Sequence, residues 1–111
     1  MTPFLRGYVA CALWLLRDEN GNQLDHEYTP QDCGSLDQMA RDCAEFQQHS
    51  ADDLSTLDSE QAGHDFFLTR NHHGARFWDR GLGEVGERLT QAASAYGSTY
   101  EYAVEGKWYS E

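Results

Sequence analysis

The residues best suited to chemistry lie close together, in the eighteen positions from His64 to Gly81. This stretch holds three of the five histidines, three of the eight basic residues and three of the five phenylalanines of the chain. Imidazole changes charge near neutral pH, and the planar guanidinium group donates paired hydrogen bonds to carboxylates and phosphates. Tryptophan and arginine also dominate binding interfaces. The predicted binding residues are therefore Arg70, Asn71, His72, His73, Arg76, Trp78 and Arg80.

A metal centre is one alternative for this stretch. His64, Asp65, His72 and His73 carry the imidazole and carboxylate ligands that suit zinc or another divalent ion. Adjacent histidines seldom bind one ion, however, and the spacing matches no standard metal motif. We therefore expect no metal and no other cofactor. A small-ligand, nucleotide or metal site built from the histidines and arginines of residues 64–80 is kept as the alternative function.

Catalysis would require a histidine acting as a general base, oriented by Asp65 or Asp79. Thr69 is the only hydroxyl group in the stretch, and no serine or cysteine nucleophile lies within it. The chain also lacks the G-x-S-x-G, P-loop and G-x-G-x-x-G motifs. The sequence therefore predicts a protein that is not an enzyme.

A purely structural role is equally open for the stretch. Arg70, Arg76 and Arg80 could pair with acids of the same chain, which outnumber them. The aromatic residues could belong to the core, and His72 and His73 could form a solvated turn. The residue types alone do not separate this interpretation from a binding site.

Charge is distributed unevenly along the chain, which carries a net charge of −11. Residues 18–65 hold thirteen acids against one base, Arg41, and we name this region the acid block. Such a block is repelled by duplex nucleic acid and by a membrane surface and is attracted to a basic protein surface. Solubility is the simpler explanation of the same charge. The acids predicted to face a partner are Asp37, Asp42, Glu45, Asp52 and Asp53.

The cysteines and the apolar N-terminal run indicate where the protein resides. Three cysteines without C-x-x-C spacing indicate reduced thiols and hence the cytoplasm. The run from Phe4 to Leu16 lacks a basic leader and a cleavage site and is too short to span a bilayer. We interpret it as a helix that is either central in the fold or paired with a second chain in a homodimer.

The hydrophobic pattern predicts one α+β domain spanning residues 1–111. Apolar residues at helical spacing predict two N-terminal helices, the second beginning after Ser35, and a third helix that ends at Gly97. The predicted strands occupy residues 64–70, 98–104 and 107–110. The expected architecture is therefore two N-terminal helices and a third helix packed on a small three-stranded antiparallel sheet.

One motif in the chain resembles a signature of short uncharacterised proteins encoded by phages, prophages and plasmids. It consists of His64-Asp65-Phe66, Leu68-Thr69-Arg70-Asn71, His73-Gly74 and Phe77-Trp78-Asp79-Arg80-Gly81. The resemblance implies a mobile-element origin and a host cytoplasm, and it brings no residue roles. Small acidic proteins of such elements resemble inhibitors of host defence or of host enzymes. The predicted function is therefore binding to a host protein, on a basic surface that normally holds nucleic acid.

Overall fold

The fold consists of five α-helices and one β-hairpin in the part of the chain that the structure describes. The structure is a computed structural model that describes residues 1–74 and 76–111, except for the side chain of Trp78. The elements are α1 (Pro3–Leu15), α2 (Leu36–His49), α3 (Ala51–Leu54), α4 (Ser59–Arg70), α5 (Glu84–Ser94), β1 (Glu101–Val104) and β2 (Lys107–Ser110). Short 3-10 turns lie at Pro30–Asp32 and Phe77–Arg80. The molecule is α+β, but the predicted arrangement of three helices on a three-stranded sheet is wrong.

Helix α1 lies at the centre of the fold. Thr2 caps its start, since the Thr2 hydroxyl oxygen accepts a hydrogen bond from the N–H of Leu5 at 3.2 Å. The buried residues of the helix are Phe4, Gly7, Tyr8, Val9, Cys11, Ala12 and Leu13. Most of the apolar surface of α1 is therefore covered within one chain, although Trp14 is 59% exposed and Ala10 is exposed as well. A homodimer through α1 stays a prediction. None of the helices in the described part is long and apolar enough to cross a membrane.

Two glycines allow α1 and α4 to cross at backbone contact. A Cβ atom placed on Gly7 would lie 2.0 Å from the carbonyl oxygen of Glu60. One placed on Gly63 would lie 1.9 Å from the carbonyl oxygen of Phe4. Neither gap admits a side chain, so a larger residue at either position forces the helices apart.

The segment predicted as the strand 64–70 is helical, and the prediction is wrong because α4 is buried around most of its circumference. Asp58 caps the helix, with its carboxylate accepting a hydrogen bond from the N–H of Gln61 at 2.9 Å. The buried residues of α4 include the charged Asp65 and Arg70. Because these charged side chains pair with partners inside the fold, α4 has no continuous polar stripe at helical spacing. The short alternation of residue types in residues 64–70 therefore resembles the two-residue period of a strand.

Strands β1 and β2 form the predicted hairpin. Their antiparallel register runs from the pair Glu101–Ser110 to the pair Val104–Lys107. The turn residues Glu105 and Gly106 have φ angles of 51° and 83°. Positive φ at both positions is what a two-residue type I′ turn requires. Because residues 64–70 are helical, the sheet has only these two strands.

The outer edge of β2 is covered by the segment that leads into α2. The N–H of Gly34 donates a hydrogen bond to the carbonyl oxygen of Trp108 at 2.7 Å. The N–H of Ser110 donates to the hydroxyl oxygen of Ser35 at 3.2 Å. The fully buried Trp108 ring then anchors the hairpin, with its Nε1 donating to the carbonyl oxygen of Thr29 at 2.9 Å.

Candidate binding surface

Arg70 is buried at the end of α4 and is held by four partners. Its Nε donates to the carbonyl oxygen of Gly97 at 2.8 Å, and its Nη2 donates to that of Tyr96 at 3.0 Å. Its Nη1 donates to the Tyr8 hydroxyl at 3.2 Å and to the Asp42 carboxylate at 3.0 Å. Only 7% of the side chain is exposed. These contacts tie four parts of the chain together and give Arg70 a structural role.

Arg80 is likewise engaged within the chain. Its Nε and Nη2 donate to the two carboxylate oxygens of Asp65 at 2.9 and 2.8 Å. The Asp65 side chain is only 4% exposed, so its charge needs this partner. The hydrogen bonds to Asp65 also raise the pKa of Arg80. The pair fastens the Phe77–Arg80 turn to the side of α4.

Asn71 closes α4 and fixes the approach to the hairpin. Its side-chain amide donates to the carbonyl oxygen of Phe67 at 3.0 Å. Its side-chain oxygen accepts the backbone N–H of Thr99 at 2.7 Å. Both ends of the side chain are therefore used inside the fold.

The histidines of the stretch do not converge on one point. His72 and His73 are exposed immediately after α4, and His72 adopts a φ of 58°. His64 lies in the middle of α4, in a groove beside Gly7. Its Nδ1 is buried and has no hydrogen-bond partner among the described residues. Within the same residues no group of three or more His, Cys, Asp or Glu side chains could hold a metal ion.

Arg76 and Trp78 complete the predicted site residues. Arg76 is half-buried, and its backbone N–H donates to the Asp79 carboxylate at 3.2 Å. Trp78 is predicted either as a site residue or as a core residue, and its side chain lies outside the described part of the structure, as does Ala75. Of the seven predicted binding residues, the structure thus places Arg70, Asn71 and Arg80 in contacts within the chain.

Two of the predicted partner-facing acids are paired. Asp42 accepts the hydrogen bond from Arg70. Asp53 of α3 accepts two hydrogen bonds from Arg88 of α5, at 2.7 and 2.9 Å. The hydrogen bonds from Arg88 lower the pKa of Asp53 below its ordinary value. These two carboxylates therefore serve first as ties between elements.

The other three acids, Asp37, Glu45 and Asp52, are exposed, and we name them the acidic face. None of them forms an ion pair with a residue that the structure describes. At about 100° per residue, Asp37 and Glu45 lie about 80° apart on the surface of α2. Asp52 follows in the short helix α3. Arg41 is the one arginine or lysine on α2, so the acids outnumber the fixed positive charges on this helix.

Most carboxylates of the chain form no ion pair with an arginine among the described residues. Of the nineteen acids, those that form an ion pair with an arginine in the described part are Asp42, Asp53, Glu60, Asp65 and Glu84. Most of the negative charge is therefore left without a basic partner in this part of the chain.

The hairpin exposes side chains that were not among the predicted site residues. Tyr100 is 71% exposed and Val104 is 49% exposed. The Tyr102 ring stacks between those of Tyr100 and Tyr109, with centroid distances of 6.0 and 5.2 Å. The alternation of residues 99–104 was the available signal, because it places every second side chain on one face of the strand.

Burial governs the chemistry of the thiols. Burial raises the pKa of Cys11 to about 12. It also raises the pKa of Cys33 and of Cys43. Because the thiolate is the reactive form of cysteine, burial disfavours reaction at these three thiols in the folded protein.

Comparison with known proteins gives no relative from which a role could be transferred. The chain matches no protein-family model, no curated protein and no solved structure. The functional interpretation therefore rests on the residues of this chain.

Proposed function

We propose that this protein is a non-catalytic accessory factor of a phage or plasmid that binds a host protein in the host cytoplasm. The partner is bound on a basic surface that normally holds nucleic acid, and occupation of that surface inhibits it, as a counter-defence protein does. The motif in residues 64–81 supports the mobile-element origin. The observation that carries the proposal is the excess of carboxylates, of which only five pair with arginine in the described part.

The acidic face is the surface that first meets such a partner. Asp37, Glu45 and Asp52 are exposed on neighbouring helices, and Glu45 also accepts a hydrogen bond from the Tyr96 hydroxyl at 2.8 Å. Charges of this kind steer a partner of opposite sign and raise the association rate, and salt screens them. The proposal therefore requires binding that weakens as salt rises.

The alternative function, a small-ligand, nucleotide or metal site in residues 64–80, has less support. Three of the residues that would hold the ligand, Arg70, Asn71 and Arg80, bind within the chain instead. His64 lies in the middle of α4, whereas His72 and His73 follow its end. We therefore retain the protein-binding function alone.

Capture of partners from a host lysate tests the proposed function. The immobilised full chain is incubated with lysate at about 0.05 M and at about 0.5 M salt. We expect a basic, nucleic-acid-binding protein to be retained at low salt and released at high salt. If no partner is recovered at low salt, the proposed function is wrong.

A further inference from the structure

One edge of the hairpin has an unpaired backbone. Tyr100 and Glu111 exchange both of their backbone hydrogen bonds, at 2.8 and 3.1 Å. Bonded pairs alternate along an antiparallel ladder, so the N–H and C=O groups of Glu101 and Ala103 point away from β2. No residue that the structure describes forms a hydrogen bond with these four groups. The edge of β1 is therefore open, unlike the edge of β2, which Gly34 and Ser35 cover.

A groove of about 470 Å³ runs beside this open edge. Tyr100 and Tyr102 of the hairpin line it together with Leu24 and Tyr28 from the segment after α1. The four residues of β1 extend over about 13 Å. The groove thus has the dimensions of a short extended segment, which could bond to the backbone of β1 and place alternate side chains against the tyrosine rings.

The charged residues that line the groove are Asp18, Glu19 and Arg17, which leaves a net negative charge. The guanidinium group of Arg17 is engaged at the end of α1, where its Nη1 donates to the carbonyl oxygens of Trp14 and Leu16 at 2.8 and 3.1 Å. A cationic side chain fits such a groove, because carboxylates and tyrosine faces both attract a guanidinium group.

We propose that the open edge of β1 binds an extended, arginine-containing segment of the partner protein. The segment adds a third strand to the sheet, and a guanidinium group of the segment lies over the outer face of the exposed Tyr100 ring, because Tyr109 and Tyr100 already cover the two faces of Tyr102. This inference rests on the proposed function, since it names the surface that holds the basic partner after the acidic face has attracted it.

A peptide probe tests the added strand without altering the protein. The probe is a fluorescein-labelled hexapeptide of alternating arginine and valine, titrated with the full chain. Two further peptides carry N-methyl groups, one on its arginines and the other on its valines. Residues of one parity alone face β1, so one methylated peptide should bind about tenfold more weakly, and the other should bind as the parent does.

The two methylated peptides also report the direction of the segment. In an antiparallel addition with the arginines on the tyrosine side, the valines carry the bonded backbone groups, and in a parallel addition the arginines carry them. Loss of affinity for one peptide alone supports the proposal in either direction. Equal affinities of the two methylated peptides would overturn it. Equal binding of a peptide with glutamate in place of arginine would overturn it as well.

A pair of variants at Ala103 tests the protein side. Ala103→Pro removes the outward N–H and keeps the hydrogen bonds between β1 and β2, as proline does on an edge strand. Ala103→Val is the matched control, because it keeps the N–H group. We expect Ala103→Pro to weaken peptide binding about fivefold or more and Ala103→Val to leave it unchanged. If Ala103→Pro fails to fold, as judged by thermal melting, the methylated peptides decide.

A second copy of the chain is the competing occupant of the edge. Sedimentation of the protein without peptide identifies it. A dimer that Ala103→Pro dissociates would overturn the proposal, because the edge would then serve self-association. A monomer at concentrations where the peptide binds is the expected result.

Capture of partners from a host lysate by the unaltered protein and by Ala103→Pro distinguishes two outcomes, in which either the role of the β1 edge or the proposed function is wrong. If Ala103→Pro retains the same partner in the same yield as the unaltered protein, the edge is not the binding surface, and the proposed function stands. If the unaltered protein retains no partner, the proposed function fails, and the peptide titration still reports on the edge.

Discussion

At the scale of single residues, burial decides which charges hold the fold and which are free to meet a partner. Arg70 is enclosed, with its guanidinium carbon 5.9 Å from the ring centroid of Phe66 and 5.5 Å from that of Tyr96. Asp42 neutralises it at 3.0 Å. By contrast, Asp37 and Asp52 lie on the surface without such partners in the described part.

Replacing Arg70 should therefore make the folded protein less stable. Arg70→Met fills a similar volume but leaves the Asp42 carboxylate and the carbonyl oxygens of Tyr96 and Gly97 without their donor. We expect the free energy of unfolding to fall by about 3–5 kcal/mol, measured by urea denaturation. Arg41→Met, the same change on an exposed position of α2, is the control and should shift it by no more than about 0.5 kcal/mol. Equal stabilities of the two variants would contradict the role given to Arg70.

The sequence located the chemically rich stretch but could not divide its residues into scaffold and surface. The partners of Arg70 come from α1, α2 and the segment after α5. These residues are far from Arg70 in the sequence, so no local sequence pattern predicts the contacts. Arg80 and Asp65 are closer in the chain, but their pairing depends on residues 64–70 being helical. The assignment of each arginine thus required the tertiary structure.

At the scale of elements, the crossing of α1 and α4 limits what the chain tolerates. Gly63→Ala and Gly7→Ala each bring a methyl group within about 2 Å of a backbone carbonyl oxygen. We expect each to lower the free energy of unfolding by about 1–3 kcal/mol or more, in spite of the higher helix propensity of alanine.

Gly86→Ala in α5 is the matched control for these two changes. Its added methyl group would lie 3.1 Å from the carbonyl oxygen of Phe77, so a small shift accommodates it. Thermal denaturation of the three variants should place Gly86→Ala well above the other two. A melting temperature for Gly63→Ala at or above that of the unaltered protein would show that the helices do not cross in this way.

The contact between α3 and α5 should depend on pH. Hydrogen bonds from Arg88 hold the pKa of Asp53 below its ordinary value of 3.8. A carboxyl group with a depressed pKa stabilises the folded state above its unfolded-state pKa, and this contribution is lost as the pH falls through the folded value. The stability difference between the unaltered protein and Asp53→Asn should therefore shrink below pH 3.8. NMR titration should also show that Arg88→Ala raises the pKa of Asp53; an unchanged pKa would mean that the pair does not form.

The elements that sequence patterns predicted are those with one buried face or a characteristic turn. Helices α2 and α5 carry apolar stripes, and the turn residues Glu105 and Gly106 predict the hairpin. Helix α4 was predicted wrongly, because its charged residues are turned inward and the helix lacks the polar face that marks a surface helix. Asp65 pairs with Arg80, and Arg70 pairs with Asp42. The predicted three-stranded sheet was a consequence of that one error.

At the scale of the whole molecule, the proposed function assigns separate roles to two surfaces. In this proposal the acidic face on α2 and α3 attracts a basic partner from solution. The open edge of β1 would then supply directional hydrogen bonds, which charge alone does not provide. The sequence predicted the first contribution from its composition, whereas the second required the pairing register of the hairpin.

The most direct test of the central claim compares two double variants in the lysate capture. Asp37→Asn with Asp52→Asn neutralises two charges of the acidic face, and Glu84→Gln with Glu87→Gln neutralises two charges on α5. All four residues are exposed and lie in the first turn of a helix, so both variants lose similar helix-end interactions. The second variant also removes the exposed ion pair of Glu84 with Arg88 at 4.0 Å, which is a weak interaction at the surface. Partner yield is measured over a series of salt concentrations. We predict that the first variant releases the partner at lower salt than the unaltered protein and that the second matches the unaltered protein. Identical release profiles for the two variants would contradict the claim that the acidic face binds the partner.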